Sequence, residues 1–334
     1  MQLASNIDVF VNNRMITFLE ALERRDTVAE QLFQARPWTK GDSQTMEFSI
    51  GALSAVAGIV RERQRIPVVD RAQSGTITRR FVQYGQSFEI SKTMRLFSHG
   101  ATVDQEVAST ARGIHDGWDY DLTEIIFSEA DTASIAHRSG LTIVTTGLDG
   151  IRPASASHTV TGTGSTVYSN LAGGASGLPL NTDNYISAWQ LPNQAAVDEY
   201  GTPIKADYRT LCICQNADMH RKARQIHGSA KEPEVMENAI NVIADGQNKL
   251  IILTHGDIDA NLDFDSTLRF RWMLKSESPK MQQCNQLSMA QQAQLSLESI
   301  DENNLAARIV CDLFGVSCVV TWQDKVYSLD TVGP

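Results

Sequence analysis

The chain has 334 residues and a mass of 36.8 kDa, and its 29 Lys and Arg against 39 Asp and Glu leave a formal net charge of −10. With 42% hydrophobic and 20% charged residues it is neither disordered nor fibrous, and its acidity argues against a dedicated nucleic-acid binder, which would carry a basic excess. The longest uncharged apolar run, residues 48–60, is shorter than the roughly 20 residues a membrane helix needs. No basic stretch precedes an apolar one near the start, so no secretory signal is expected. Five cysteines (Cys212, Cys214, Cys284, Cys311, Cys318) fit unpaired, mostly buried thiols in a reducing, cytoplasmic setting.

Residues 14–33 place Met15, Phe18, Leu19, Leu22, Ala29, Leu32 and Phe33 at helical spacing, with Glu20, Glu23, Arg24, Arg25 and Glu30 on the other face. This predicts an amphipathic helix halted by Pro37. It reads either as an arm that packs on something else or as a closure of the chain's own core. Residues 45–50 alternate Met46, Phe48 and Ile50, and residues 76–90 are rich in Ile, Thr, Phe, Val and Tyr, so both predict strands. Between and within them stand Arg61, Arg63, Arg65, Arg71, Arg79 and Arg80 against Glu62 and Asp70. Two strands flanking a basic excursion describe an extended hairpin with little core of its own, unstable without a partner surface.

The strongest helical pattern spans 102–131. Thr102 and Gln105 form a capping box, and Val103, Val107, Ala111, Ile114, Trp118, Leu122 and Ile125 recur at intervals of three and four. The other faces carry Asp104, Glu106, Asp116, Asp119, Asp121, Glu124, Glu129 and Asp131 against Arg112 alone. Such a face is commonly just solvated. The sharper reading pairs it with the basic hairpin, within or between subunits. It makes Arg61, Arg63, Arg65, Arg71, Arg79 and Arg80 inter-subunit contacts, opposite Asp116, Asp119, Asp121 and Glu124.

Residues 153–182 contain no charged residue except the titratable His158 and predict a long surface loop or a loosely paired ribbon that buries little. Residues 183–200 are helical on both sides of Pro192, which must break or kink them. A compact α/β pattern follows, with strand 211–214, helices 216–227 and 235–244, and strand 250–254. Residues 267–274 predict a half-buried strand with Leu268, Phe270, Trp272 and Leu274 inward and Arg269 and Arg271 outward. Residues 305–322 predict two strands divided by Gly315.

Candidate chemistry is sparse. Asp257, Asp259, Asn261, Asp263 and Asp265 alternate like calcium ligands, but Leu262 and Leu268 stand where such a loop needs Gly and Glu, so an acidic turn is the better reading. Cys212 and Cys214 lack the two further soft ligands that zinc would want. The seven histidines are scattered, and neither a phosphate loop nor a nucleophile elbow is present. The sequence therefore offers no catalytic, metal or cofactor-binding residues, and no cofactor.

The order of elements carries more than any motif. An arm, an extended hairpin, one long acidic helix, an α/β unit and closing strands resemble the major capsid protein of tailed bacteriophages, with the Hong Kong 97 fold. Phe88-Glu89-Ile90-Ser91 resembles the passage from extended loop to spine helix. Residues 198–204, the strand 211–214 and the helix 217–226 are similar to that family's Gly-x-Pro, strand and helix. Leu250-Ile251-Ile252-Leu253 with Asp257, and residues 308–320 with Gly315, are similar to its later strands.

The resemblance implies an α+β chain. Residues 1–43 would be an N-terminal arm and 44–97 the extended loop. Residues 98–182 and 263–334 would form the peripheral domain, with spine helix 102–131, and 183–262 the axial domain. It implies a structural protein, not an enzyme, that self-assembles into hexamers and pentamers of an icosahedral shell in the host cytoplasm and resides in the virion. Implied partners are further copies of itself, a separate scaffolding protein, portal and decoration proteins, and packaged double-stranded DNA without sequence specificity, with no membrane. Residues 41–91 contain no lysine, so no covalent link from this loop to a neighbouring subunit is expected. The alternatives are an encapsulin-like cellular nanocompartment shell and an α/β enzyme with the Gly-rich segment as a lid.

Overall fold

In a computed structural model, the chain is described at residues 18, 20, 28–38, 44–51, 73–91, 100–136, 140–159, 167–191, 207–228, 248–253, 270–278, 281–301 and 306–329. The strands are β1 Gln34–Ala35, β2 Thr45–Gly51, β3 Gln73–Arg80, β4 Val82–Ile90, β5 Ser134–Ala136, β6 Thr142–Val144, β7 His158–Thr159, β8 Val167–Tyr168, β9 Tyr208–Cys214, β10 Lys249–Leu253, β11 Trp272–Ser276, β12 Asn285–Asp301, β13 Ala306–Val319 and β14 Lys325–Ser328. The helices are α1 Gly100–Thr123, α2 Thr182–Gln190 and α3 Ala217–Gly228. The expected basic residues Arg61, Arg63, Arg65 and Arg71, the helix at 235–244, the acidic run 257–265, Pro192 and most of the helix at 14–33 lie outside the described residues.

Two four-stranded sheets organise these elements. The main sheet has the order β1-β12-β13-β4, in which β12 and β13 form a long antiparallel hairpin, β4 pairs antiparallel to β13, and β1 adds parallel to β12. The second sheet has the order β10-β9-β11-β14, with β10 parallel to β9 and the rest antiparallel. Three ribbons, β2-β3, β5-β6 and β7-β8, stand outside the sheets.

The apolar stripe of α1 lies on the main sheet. Val103, Val107, Ala111, Ile114, Trp118 and Leu122 share one core with Ile90, Leu295, Ile309, Cys311 and Leu313. Gly315 does not divide two strands; β13 runs through it uninterrupted. A Cβ at that position would meet Trp118 Cζ3 at 2.6 Å. Glycine is there because the indole ring takes the room a side chain would need.

The end of α1 fixes how the second sheet sits. Residues Glu124–Ser128 form a π-helical turn, with the Glu129 N–H donating to the Glu124 carbonyl at 2.9 Å. The buried Tyr327 of β14 donates to the Ile126 carbonyl at 2.8 Å. Arg271 donates to the Ser128 carbonyl at 2.5 Å and grips both oxygens of Asp131 at 3.1 and 3.0 Å. Two side chains at the second sheet thus hold the final turn of the helix.

Several sequence expectations need correction. The single strand at 76–90 is two strands in different sheets, separated at Phe81, whose N–H donates to the Gln44 carbonyl at 3.0 Å and whose ring meets Trp38 edge-on at 5.8 Å. Thr102 lies inside α1 and is not its cap. The half-buried strand at 267–274 is β11, which starts at Trp272 and is buried on both faces: Trp272 and Leu274 join one core and Met273 the other. Alternation fails as a guide there because the second sheet is covered on both sides. Where it is described, the segment 153–182 is not a loose surface loop. Ala154, Ser155, His158, Asn170, Leu171 and Leu180 are buried, and Asn170 Nδ2 and His158 Nε2 both contact the Pro153 carbonyl, at 2.7 and 3.1 Å. The short β7-β8 pairing inside this segment does agree with the ribbon expectation.

Candidate assembly surface

The segment preceding β2 is the first element that could reach another subunit. Where it is described, it belongs to the chain's own core. Phe18, Ala29, Leu32 and Phe33 are buried in the α1 core, and β1 extends the main sheet. Asp119 Oδ1 accepts from the Ala29 N–H at 2.8 Å, and Trp118 Nε1 donates to Glu30 Oε1 at 2.7 Å. Consecutive residues of α1 therefore hold the first two residues of the short 3-10 turn Ala29–Leu32.

The acidic residues of α1 occupy three kinds of position. Asp119 and Asp121 are 3% and 1% exposed. Asp121 Oδ2 accepts from the Tyr84 hydroxyl of β4. Neither carboxylate lies on a surface that a neighbouring subunit could reach, because each serves as an acceptor for a donor of its own chain. Asp116 and Glu124 are half-buried, and Glu106 is exposed. The acids at 119 and 121 are thus brought together with the arm and β4.

The described arginines of the excursion also differ from one another. Arg79 Nη2 donates to the Thr146 carbonyl at 2.6 Å, tying the β2-β3 ribbon to the loop after β6. Arg80 is exposed and donates to Gln44 Oε1 at 3.2 Å. The ribbon seats Phe48 and Ile77 on Val316, Cys318 and Val320, and its other face is open. Between the ribbon and β5-β6 runs a groove of about 750 Å³, lined by Trp38, Arg80, Phe81, Leu141, Val144 and Val316 among others. Leu141 and Val144 are 50% and 44% exposed, so the groove places apolar surface in contact with water.

All five cysteines are buried free thiols. Burial pushes the thiols of Cys212, Cys284 and Cys311 up to about 12 and that of Cys318 up to about 11, leaving them as core residues without nucleophilic character. Among the described residues no three His, Cys, Asp or Glu side chains converge in a group that could hold a metal. No described helix is long and apolar enough to cross a membrane. His158, buried against Trp322 in a stack of 5.0 Å, bonds Asp149 through Nδ1 at 2.7 Å and the Pro153 carbonyl through Nε2 at 3.1 Å. Both ring nitrogens are engaged in holding the 149–158 loop.

No protein-family model matches the chain, and no curated protein matches it. Solved structures do. The capsid structure of the cyanophage P-SCSP1u matches over 91% of this chain and 88% of its own, with a TM-score of 0.51 at 11% identity. The fold is that of a phage capsid protein. Structures from Gordonia phage Cozz (TM-score 0.52, 11% identity, 90% of this chain and 85% of that one) and Microbacterium phage Oxtober96 (0.51, 12%, 91% and 90%) share it. At such low identity the likeness is one of capsid fold, shared through element order and packing and not through retained side chains.

The polar anchors of this capsid fold were not legible in the sequence. Tyr84, Tyr327 and Arg271 each bond a partner more than thirty residues away, and no local spacing marks them. Only the neighbouring pair Trp118 and Asp119 carried a signal, as an apolar residue and an acid on adjoining faces of one helix.

Proposed function

We propose that the chain is the major capsid protein of a tailed double-stranded DNA bacteriophage, built on the Hong Kong 97 plan and assembling into hexamers and pentamers of an icosahedral shell around the genome. The observation that carries this reading is the match of about nine-tenths of the chain to a phage capsid structure. Its activity is then assembly and not catalysis. Residues 1–43 are assigned to the arm, 44–97 to the extended loop, 98–182 and 263–334 to the peripheral domain with α1 as spine, and 183–262 to the axial domain. The open β2-β3 ribbon supports the loop assignment, its excursion ending at residue 80 where β4 enters the main sheet. The core joining α2, α3 and β9 also takes in Trp272, Leu274 and Val326, so in this assignment the axial domain shares a core with the peripheral one. Scaffolding, portal and decoration proteins and packaged DNA are the partners this reading implies, with the virion as location. Phage structures among the neighbours favour a genome-enclosing shell over a cellular nanocompartment.

Burial of Asp119 and Asp121 narrows the electrostatic part of the reading. The basic excursion would meet acids that retain surface, such as Glu106, Asp116 and Glu124. Exposed pairs are worth about 0–1 kcal/mol each, so the effect depends on repetition around a shell. Electron microscopy and analytical ultracentrifugation of the recombinant chain should show closed shells or capsomers; only a 36.8 kDa species across a broad concentration range would overturn the reading. Charge reversal of Arg61, Arg63 and Arg65 to Glu should block or misdirect assembly of a folded subunit, and normal particles from that variant would remove the electrostatic part.

A further inference from the structure

Where the two sheets meet, three polar side chains share a site closed to water. Asn285 opens β12, and Lys325 opens β14 directly after Asp324; their exposures are 0%, 1% and 0%. Lys325 Nζ donates to Asn285 Oδ1 at 2.6 Å, to the Thr321 carbonyl at 3.1 Å and to Asp324 Oδ1. Asn285 Nδ2 donates to Asp324 Oδ2 at 2.5 Å and to the Leu32 carbonyl at 3.3 Å. One carboxyl group therefore bridges an amine and the side-chain amide that the amine already touches.

Two further features favour chemistry over a static ion pair. Burying an ammonium and a carboxylate costs solvation that their mutual attraction repays poorly, and a neutral amide in their place avoids that cost. Lys275, itself buried, stands directly opposite Lys325 in the β11-β14 register, and like charges facing each other across a strand pair are unfavourable. The surroundings are aromatic and dry. Burial first, and the nearby Asp324 second, push the phenols of Tyr208 and Tyr327 well above their ordinary range.

We infer that Lys325 and Asn285 become joined by an intramolecular isopeptide bond, with Asp324 as the acid–base group. The Lys325 ammonium passes a proton to Asp324. The neutral amine attacks Cγ of Asn285, one carbonyl bond (about 1.23 Å) beyond the oxygen it now touches, and an electron pair moves onto that oxygen. Asp324 hands its proton to Nδ2 and takes one from the attacking nitrogen. The carbonyl re-forms, the Cγ–Nδ2 bond breaks and ammonia leaves, with Asp324 protonated at the end. One amide is exchanged for another, so no oxidant, metal or cofactor is required. The bond ties the first residue of β12 in the main sheet to the first of β14 in the second, forty positions apart. It lies within one chain and is independent of what the chain assembles into.

Mass spectrometry of the purified full chain after denaturation tests this. The expected mass is lower than the sequence requires by one ammonia. Proteolysis should yield a branched peptide joining the segments around Asn285 and Lys325, with no tryptic cleavage after Lys325. A full sequence mass with Lys325 cleaved by trypsin would overturn the inference, as would an ammonia loss mapped to a cyclised asparagine elsewhere. Lys325→Met, which keeps the length but removes the nucleophile, should restore the full mass. Asp324→Asn should slow bond formation by about 10²-fold or more; an undiminished branched peptide in that variant would refute the role given to Asp324. If either variant fails to fold, the peptide map of the unaltered chain still decides.

Discussion

Helix α1 and the β2-β3 ribbon carry the opposite charges that the sequence sets side by side, yet the fold uses them differently. Two acids of α1 turn inward: Asp119 holds the Ala29 N–H and Asp121 takes the Tyr84 hydroxyl, and just past the helix Asp131 takes Arg271. On the ribbon, Arg79 anchors to a loop carbonyl while Arg80 faces solvent. The reason is geometric. An arm, a sheet edge and a second sheet pack against α1, so part of its polar surface meets backbone donors and side chains of the same chain. The ribbon rests one face on the end of β13, and Thr45, Glu47, Thr76, Thr78 and Arg80 on its other face are exposed. A run of charge thus marks a surface only where the element bearing it has a side left uncovered.

That contrast can be broken by substitution. Trp118 is the hub on the helix side, buried, edge-on to Tyr84 at 5.4 Å and pressed against Gly315. Trp118→Ala should cost about 3–5 kcal/mol, read as a lower urea midpoint of the unassembled chain. Asp119→Ala should cost about 2 kcal/mol, because it leaves the buried Ala29 N–H without its acceptor. Asp119→Asn, which keeps an oxygen there, should cost less; equal losses would mean that charge, and not the acceptor, holds the arm. Tyr84→Phe should cost about 1 kcal/mol, and no loss would show that Asp121 draws its stability from elsewhere.

Much of the architecture was legible because it rests on local periodicity. The apolar stripe of α1, the α/β order of β9, α3 and β10, and the pairing-competent strand at 45–50 all follow from spacing that any window along the chain displays. Long-range pairings were less visible. The seventeen-residue β12 went unrecognised because its Gln- and Ser-rich sequence contains three register shifts against β13, which break the alternation of Leu287, Met289 and Leu295. Gly315 read as a breaker because the ring that occupies its space comes from residue 118. Residues 153–182 read as open because they are uncharged and small, though small polar residues can also pack densely when Asn170 and His158 satisfy the backbone around them. For the candidate site, the sequence marked which residues were charged, and only the fold showed which charges were already engaged.

The smallest expected effect on stability is the most telling on the ribbon side. Arg80 is exposed, and its described contact is one 3.2 Å hydrogen bond to Gln44. Arg80→Glu should therefore change the stability of the isolated subunit by less than about 0.5 kcal/mol. Reversing this charge at the rim of the groove lined by Leu141 and Val144 should nonetheless lower the yield of assembled particles, more at low salt than at high, because exposed charges act over about 10 Å at 0.1 M ionic strength and are progressively screened above it. Urea midpoints and particle yields measured on the same preparations separate the two quantities. A stability loss comparable to that of Asp119→Ala would mean that the ribbon is as embedded in its own chain as the helix is. Unchanged yield at every salt concentration would mean that the open face of the ribbon makes no electrostatic contact in the shell at Arg80.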